Sequence, residues 1–241
     1  MEVSTWSGTL TLDEFTVAAN AFADKWKRSN SSFPPWLWVN NTPKPPFLGS
    51  TRMDVYLSLE NICLHDLDNK NDKNVYNCDE GSCIKEEEAS FSRKEEAIDG
   101  EDDATLVHSN NQLHYYDFHI VYSASYRVPV FYFRGYCSDG SLLQLNQIEK
   151  DLPTCSAKVL LESKWTFITQ EEHPYLNRPW YKLHPCGTSE WMKLLFMGDA
   201  ASIEKRVPFE LYLISWFSVV GQVFSFRIPV AMVNHATVTD G

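Results

Sequence analysis

One internal segment carries almost all of the net charge of this chain. The 241 residues have a net charge of −11, and the stretch from Glu60 to Asp103 alone holds 15 acidic and 5 basic residues. The rest of the chain holds 17 acidic and 16 basic residues, a net charge of −1. Because a run of like charges cannot pack into a core, we predict a flexible acidic insertion at about residues 61–111. The entropy of closing a loop grows slowly with its length, so one domain tolerates such an insertion.

The remaining residues have the composition of a folded protein. Hydrophobic residues make up 44% of the chain, which is enough to bury the core of one domain, placed here at residues 1–241. Outside the insertion the charge is nearly balanced, so the chain offers no basic field to attract a nucleic acid or an anionic membrane. We therefore expect no nucleic acid among its partners.

The sequence shows no signal for secretion or for crossing a membrane. Its first ten residues lack the basic and apolar regions of a signal peptide. The longest apolar stretch, Leu211–Phe224, has about fourteen residues and is too short to cross a bilayer. The six cysteines are compatible with a reducing compartment. We expect a soluble, cytoplasmic protein with no stable membrane insertion.

Hydrophobic periodicity predicts an α+β fold, an antiparallel sheet with helices packed on it. Thr11 and Glu14 form a capping box ahead of a helix at Leu12–Arg28, whose apolar residues recur at helical spacing. Segments with alternating apolar residues or many aromatic residues predict strands. The third and fourth of these strands form a hairpin, and the second and third lie on the two sides of the insertion. The predicted strands are Trp36–Val39, Arg52–Glu60, Leu113–Tyr122, Val128–Tyr136 and Val159–Thr169.

The second half of the chain adds turns, short helices and a proline-rich loop. In order, these are a turn at Ser138–Gly140; a helix-like run from Ser141 with Leu142, Leu145 and Ile148 on one face; a proline-rich loop at His173–Gly187; a short helix capped by Thr188 or Ser189; a helix opened by Pro208 and closed near Gly221; and a polar, frayed tail from Ala231.

Cys186 is the side chain best placed for covalent chemistry. It follows His184 and Pro185 in a stiff, extended segment, and a predicted helix begins just after it. A thiol in front of a helix N-terminus lies near the positive end of the helix dipole, which favours the thiolate. An exposed thiolate is a nucleophile that can take up and pass on an acyl group. The alternative for this residue is a buried, structural cysteine.

Three other residues of the proline-rich loop are candidates for supporting roles. His184 is considered for orienting or deprotonating Cys186, against a plain hydrogen bond within the loop. His173 is considered as a base that reaches Cys186 within the same loop. Asn177 is considered as an amide donor to an oxyanion, against a solvated loop residue.

Metal and nucleotide motifs are not recognisable in the sequence. Cys78 and Cys83, with Cys63 and His65 upstream, are spaced more widely than the CxxC pairs typical of zinc sites. The chain contains no GxGxxG motif, no phosphate-binding loop and no GxSxG motif. These observations disfavour a zinc site, a nucleotide-binding enzyme and a serine hydrolase.

Three ordered blocks of the sequence resemble the autophagy E2-like conjugating enzymes. The block at Thr169–Phe196 contains the His-Pro-Cys motif of that family, ending at Cys186, with an earlier His-Pro pair at His173. The second block is Tyr115–Tyr122, which continues into the following strand, and the third is Tyr212–Gly221. The acidic insertion has no clear counterpart in the family.

The resemblance implies an E2-like fold and a place in a conjugation pathway of autophagy. Cys186 would accept a ubiquitin-like modifier as a thioester from the E1-like activating enzyme, and no metal or organic cofactor is implied. One branch of the family transfers its modifier to a lipid. The other branch, which this sequence resembles more, transfers autophagy protein twelve to a lysine of autophagy protein five. Direct recognition of that acceptor is implied, and the aromatic-rich hairpin at Tyr122–Tyr136 is a candidate surface for it.

Two functions of other classes stay open from the residues alone. The first is a thiol hydrolase that uses Cys186 with His173 and cleaves its substrate without a second transfer. The second is a binding module in which Cys186 is incidental and the acidic segment tethers a partner. Replacing Cys186 separates both enzymes from the binding module. In Cys186→Ser a conjugating enzyme should trap its modifier as a stable oxyester, whereas a hydrolase should only lose turnover.

Overall fold

The computed structural model describes residues 6–31, 33–41, 54–64, 113–153, 156, 167–197 and 208–233. The strands are β1 (Leu37–Asn41), β2 (Asp54–Cys63), β3 (His114–Ser123), β4 (Val128–Cys137), β5 (Ile168–Glu172) and β6 (Pro179–Leu183). The helices, numbered within the described residues, are α1 (Leu12–Ser29), α2 (Leu145–Asp151), α3 (Thr188–Met197), α4 (Phe209–Val220) and α5 (Val230–Val233), with a 3₁₀ turn at Gly221–Phe224.

In the described part of the chain, the strands form one six-stranded antiparallel sheet in the order β1-β2-β3-β4-β6-β5. Side chains alternate between its two faces, as strand geometry requires. On β3, Phe118 and Ile120 join the main core, and Val121 joins a second cluster with Tyr132 and Trp180. The fold is therefore α+β, as predicted, with a sheet that is buried on both faces at its centre.

The first helix, α1, has the capping box and the apolar face that the sequence predicts. Its N-terminus is closed by a capping box, in which the Glu14 amide donates to Thr11 Oγ1 (3.2 Å) and the Thr11 amide donates to Glu14 Oε2 (2.7 Å). The apolar face of α1 packs with α4 against one face of the sheet, and its buried residues include Phe15, Phe22 and Trp26. The prediction of an amphipathic helix is confirmed, with its end at Ser29.

The strands on the two sides of the acidic segment are neighbours, as predicted. β2 pairs with β3 in antiparallel register from Tyr56↔Val121 to Cys63↔Tyr115. The insertion was placed from about residue 61, but β2 continues to Cys63 through a bulge, so residues 61–63 belong to the sheet. The Asn61 amide there donates to Asp117 Oδ1 (3.0 Å), which satisfies the backbone group that the bulge leaves out of the ladder. Residues 65–112, which hold the rest of the predicted insertion, lie outside the described residues.

The predicted hairpin of β3 and β4 and the turn after it are confirmed, but the helix expected from Ser141 is not. The Cys137 amide donates to the Ser141 carbonyl (2.9 Å), and the Leu143 amide donates to the Gly135 carbonyl (2.9 Å). These bonds hold residues 141–143 in extended contact with β4, so α2 begins only at Leu145. Leu142 is 50% exposed and does not share a core-facing side with Ile148.

Two further segments are more ordered than the sequence indicated. The proline-rich loop contains β6, which pairs with both β4 and β5. The tail expected to fray from Ala231 begins within α5, and Met232 is fully buried there. The predicted strand at Val159–Thr169 falls mostly on residues 157–166, outside the described residues, and β5 begins at Ile168.

The last two long helices begin and end near the predicted positions. α3 starts at Thr188, so Thr188 and Ser189 are its first residues and not its N-cap. Pro208 is the N-cap of α4, and Gly221 is its C-cap. Within the ranges given above, no helix has the combination of length and apolarity needed to cross a membrane.

The N-terminal segment Trp6–Leu10 packs against α3 and α4. The Trp6 ring meets Phe196 and Tyr212 edge-on, with centroids 5.8 and 5.9 Å away. The Tyr212 hydroxyl donates to the Gly8 carbonyl (2.8 Å). Gly8 has a φ of +80°, and a Cβ on it would lie 1.8 Å from the Ser189 carbonyl oxygen. Only glycine lets the backbone approach α3 this closely.

Replacing Gly8 with alanine is expected to lower the free energy of unfolding by about 2–3 kcal/mol, because the segment must leave α3 and break a buried hydrogen bond. Urea unfolding followed by tryptophan fluorescence measures the change. Gly140→Ala is the matched control, since Gly140 has a φ of +84° but no atom within 4 Å of the added Cβ. That control should cost about 1 kcal/mol of backbone strain. Equal losses in the two variants would contradict the contact with α3.

Candidate active site

Cys186 lies on a short, well-anchored loop between β6 and α3. The His184 amide donates to the Phe167 carbonyl (2.8 Å), which extends the pairing of the hairpin by one residue. After Pro185 the chain turns, and the Thr188 amide donates to the Pro185 carbonyl (3.1 Å). Cys186 is exposed, whereas Cys63 is half-buried and Cys137 is buried. Within the described part of the chain, Cys186 is thus the cysteine that a large partner can reach.

The side chain of His184 is hydrogen-bonded to the backbone of Cys186. Its Nδ1 accepts the Cys186 amide at 3.1 Å. The imidazole also meets the ring of Tyr126, on the turn of the β3–β4 hairpin, with centroids 6.0 Å apart and planes at 77°. His184 was considered either for orienting or deprotonating Cys186 or for a hydrogen bond within the loop. The structure shows a hydrogen bond within the loop, and its donor is the backbone amide of Cys186.

His173 is fully buried, and its ring is engaged away from Cys186. Its Nε2 lies 3.0 Å from Nδ1 of His119, which is itself 1% exposed. The Tyr175 amide points at the other nitrogen, Nδ1, at 3.3 Å. Rings from three strands and from the loop enclose the two imidazoles; they are Tyr56, Tyr132, Tyr175 and Trp180.

The hydrogen bonds of this histidine pair fix its tautomers. A backbone amide only donates, so His173 Nδ1 must accept and the proton of the neutral ring is on Nε2. Nε2–H then donates to His119 Nδ1, which places the proton of His119 on its own Nε2, 3.5 Å from Glu60 Oε1. Burial is the main cause that lowers the pKa of each histidine to about 3, and nearby positive charge, including that of Arg178, contributes to the same shift. Both rings are therefore neutral at physiological pH.

The β5–β6 hairpin separates His173 and Asn177 from Cys186. The two strands pair from Glu172↔Pro179 to Ile168↔Leu183, so the turn that holds His173 and Asn177 lies at one end and Cys186 follows the other. Five residues of strand span about 16 Å. Asn177 is exposed with a φ of +50°, a left-handed conformation that asparagine tolerates in turns. The structure thus brings His184 to Cys186, and it does not bring His173 or Asn177 there.

Sequence reasoning missed the roles of His119 and Tyr126. In the sequence His119 is one residue of the block Tyr115–Tyr122, although strand periodicity separates it from the core-facing residues Phe118 and Ile120. Tyr126 lies on a turn, and its approach to His184 depends on how the hairpin packs beside β6. The first role had a weak signal in the alternation pattern; the second had none that we can identify.

The hairpin proposed as an acceptor surface lies inside the sheet. β3 is paired with β2 and β4, and β4 is also paired with β6 at Tyr132 and Phe133. Strand addition at those residues is therefore excluded, and among the described strands β1 and β5 are at the edges of the sheet. At the hairpin turn, Tyr126 is 46% exposed and close to the Cys186 loop.

The residues considered for zinc are not assembled within the described structure. Cys63 lies on β2, and His65, Cys78 and Cys83 are outside the described residues. In the ranges that the structure describes, no three side chains of histidine, cysteine, aspartate or glutamate come together as metal ligands.

Comparisons of the sequence with known proteins indicate one family. Residues 14–231 match the family model of the autophagocytosis-associated protein, active-site domain. The chain is 53% identical over 236 residues to the ubiquitin-like-conjugating enzyme ATG10 of Arabidopsis thaliana, covering 94% of this chain and 96% of that protein. It is 40% identical over 116 residues to the enzyme of the same name from Homo sapiens, covering 48% of this chain and 51% of that protein. A crystal structure of the autophagic E2 Atg10 aligns with a TM-score of 0.44 and 15% identity over 90% of this chain and 99% of that one.

Proposed function

Because the chain belongs to the autophagocytosis-associated, active-site-domain family and is an E2-like conjugating enzyme of autophagy, we propose that Cys186 carries its ubiquitin-like modifier as a thioester. The exposure of Cys186 on an anchored loop in front of α3 is the observation that supports this assignment. The thiol of a conjugating enzyme must be open on one side to two large partners in turn, and its backbone must be held so that each attack is well oriented.

The proposed reaction has two acyl transfers at Cys186. In the first, the Cys186 thiolate attacks the carbonyl carbon of the C-terminal glycine of the modifier, and the thiolate of the activating enzyme leaves. In the second, the neutral amine of an acceptor lysine attacks the same carbonyl carbon. The Cys186 thiolate leaves, the nitrogen loses a proton to water, and an isopeptide bond remains. The enzyme contributes a nucleophile and the positioning of two partners.

We assign the modifier as autophagy protein twelve, the donor as the E1-like activating enzyme and the acceptor as a lysine of autophagy protein five. The support is the resemblance of the C-terminal block at Tyr212–Gly221 to that branch, together with the match over nearly the whole length of the plant relative. This reaction takes place between soluble partners, which is the basis for placing it in the cytoplasm. For recognition of the acceptor we propose the exposed turn around Tyr126, since the strands of that hairpin are paired.

The test is a gel assay of the purified chain with ATP, the activating enzyme and the modifier. We expect an adduct of the two proteins that disappears on reduction. Cys186→Ala should abolish it, and Cys186→Ser should give an adduct that resists reduction, because an oxyester is not cleaved by thiols. Cys63→Ala is the matched control and should retain the reducible adduct.

The outcomes distinguish the conjugating enzyme from the thiol hydrolase and the binding module. A folded wild-type chain that forms no adduct beside an active upstream enzyme would refute the proposal. An adduct that persists in Cys186→Ala would refute the assignment of Cys186. Addition of the acceptor should move the modifier onto it, whereas release of free modifier alone would indicate a hydrolase.

A further inference from the structure

The hydrogen bond between His184 and Cys186 has the geometry of a tight local turn. The ring nitrogen Nδ1 of residue 184 accepts the amide of residue 186, two positions further along the chain. This is the relation that asparagine and aspartate make in an Asx-turn, where the side-chain oxygen accepts from the amide two residues on. The intervening Pro185 has a fixed φ and no backbone N–H, so the Cys186 amide is the first backbone donor after His184.

We infer that His184 is a positioning residue that holds the backbone of Cys186 through Nδ1 and does not act as the base for its thiol. This inference rests on the proposed function of Cys186. A backbone amide only donates, so Nδ1 must be the unprotonated nitrogen, and the neutral ring carries its proton on Nε2. In this tautomer one nitrogen is occupied by the Cys186 amide, and the other bears hydrogen and accepts no further proton. The ring therefore has no free lone pair for the sulfur.

The ring contact with Tyr126 supports the same role. Tyr126 meets the His184 imidazole edge-on from the turn of the neighbouring hairpin. The contact restricts the rotation of the His184 side chain, which is partly buried, and so keeps Nδ1 directed at the loop. Tyr126 on the β3–β4 hairpin thus positions the His184 imidazole, and the imidazole positions Cys186.

The inference predicts opposite results for two substitutions of similar size. In His184→Asn the side-chain oxygen takes the place of Nδ1 and rebuilds the turn, as an Asx-turn does. In His184→Gln the amide lies one bond further out, at the place of Nε2, and the Cys186 amide loses its acceptor. We expect the rate of thioester formation to stay within about twofold of wild type in the asparagine variant and to fall about tenfold in the glutamine variant, the size of effect of one hydrogen bond.

Nuclear magnetic resonance measures the same tether without any partner. In the neutral form of the His184 ring, the ¹⁵N shifts should show an unprotonated Nδ1 and a protonated Nε2. The Cys186 amide should exchange with solvent more slowly in wild type and His184→Asn than in His184→Gln. Circular dichroism verifies that both variants are folded.

Each outcome decides the matter. A proton on Nδ1 of the neutral ring, or equal amide exchange in all three proteins, would overturn the inference directly. Equal loss of thioester formation in the two variants would indicate a base, which neither amide replaces. If wild type forms no thioester on Cys186, the proposed function fails, and the spectra still decide whether His184 holds the backbone.

Discussion

Replacing Phe217 with alanine is expected to lower the free energy of unfolding by about 3–5 kcal/mol, the cost of a large cavity in a close-packed core. Phe217 is fully buried on α4, where that helix meets both α1 and the sheet. Five aromatic rings lie with their centroids between 5.2 and 5.9 Å from its own; they are Phe22, Trp26, Trp36, Phe131 and Phe226. The rings belong to four segments of chain, with Phe22 and Trp26 both on α1, so they cannot all move inward to fill the space.

Urea unfolding followed by tryptophan fluorescence and circular dichroism measures the loss. Phe217→Leu keeps most of the volume and should cost less than about 1.5 kcal/mol. Val219→Ala is the surface control on the same helix, because Val219 is 51% exposed, and it should change stability by less than about 0.5 kcal/mol. A loss below about 1 kcal/mol in Phe217→Ala would mean that α4 does not pack against the sheet as described.

The parts of the fold that local sequence signals determine were predicted correctly. The capping box at Thr11 and the spacing of Phe15, Phe22 and Trp26 define α1 without reference to the rest of the chain. The β3–β4 hairpin has aromatic strands on both sides of a short turn, which is also a local signal.

Two segments whose structure depends on distant partners were not predicted. β6 is a strand because β4 and β5 pair with it, and its five residues begin with a proline, which reads locally as loop. Residues 141–143 are extended because the backbone of β4 binds them, although their apolar spacing fits a helix. Cooperation between remote segments is absent from any short window of sequence.

The candidate site divides in the same way. The position of Cys186 in front of a helix follows from the residues next to it, and the structure places it there. The separation of His173 from Cys186 follows from the hairpin between them. The partner of His173 is His119, 54 positions away in the chain, so no local pattern could identify it.

The neutral pair of His119 and His173 should make the free energy of unfolding depend on pH, and the dependence should begin above the range in which carboxylates titrate. In the unfolded chain the pKa of histidine is about 6.5, and burial lowers the pKa of His119 and of His173 to about 3 in the folded state. Between these values the unfolded chain binds protons that the folded chain does not. The stabilisation is therefore complete above about pH 6.5 and is lost as the pH falls, at a rate of up to about 1.4 kcal/mol per pH unit for each histidine.

Charges and rings around the pair favour its neutral form. Arg178 and Arg134 repel a proton on His119, and Arg178 and His119 repel one on His173. Among the described residues, Glu60 is the carboxylate in hydrogen-bond geometry with the pair, and its side chain is 60% exposed, so water screens most of its attraction for a proton. The enclosing Tyr56 and Tyr132 have pKa values raised by burial and stay neutral throughout this range.

The measurement is the free energy of unfolding in urea at pH 7, 6 and 5. The double variant His119→Phe/His173→Phe is the comparison, because two phenylalanines keep ring packing against Tyr56 and Trp180 and remove both titrating groups. Wild type should lose stability more steeply than the double variant between pH 7 and pH 5, by up to about 2.7 kcal/mol per pH unit at the lower end. Parallel pH dependences would show that the pair does not stay neutral in the folded chain, since a charged histidine in the folded state removes the difference in bound protons that drives the effect.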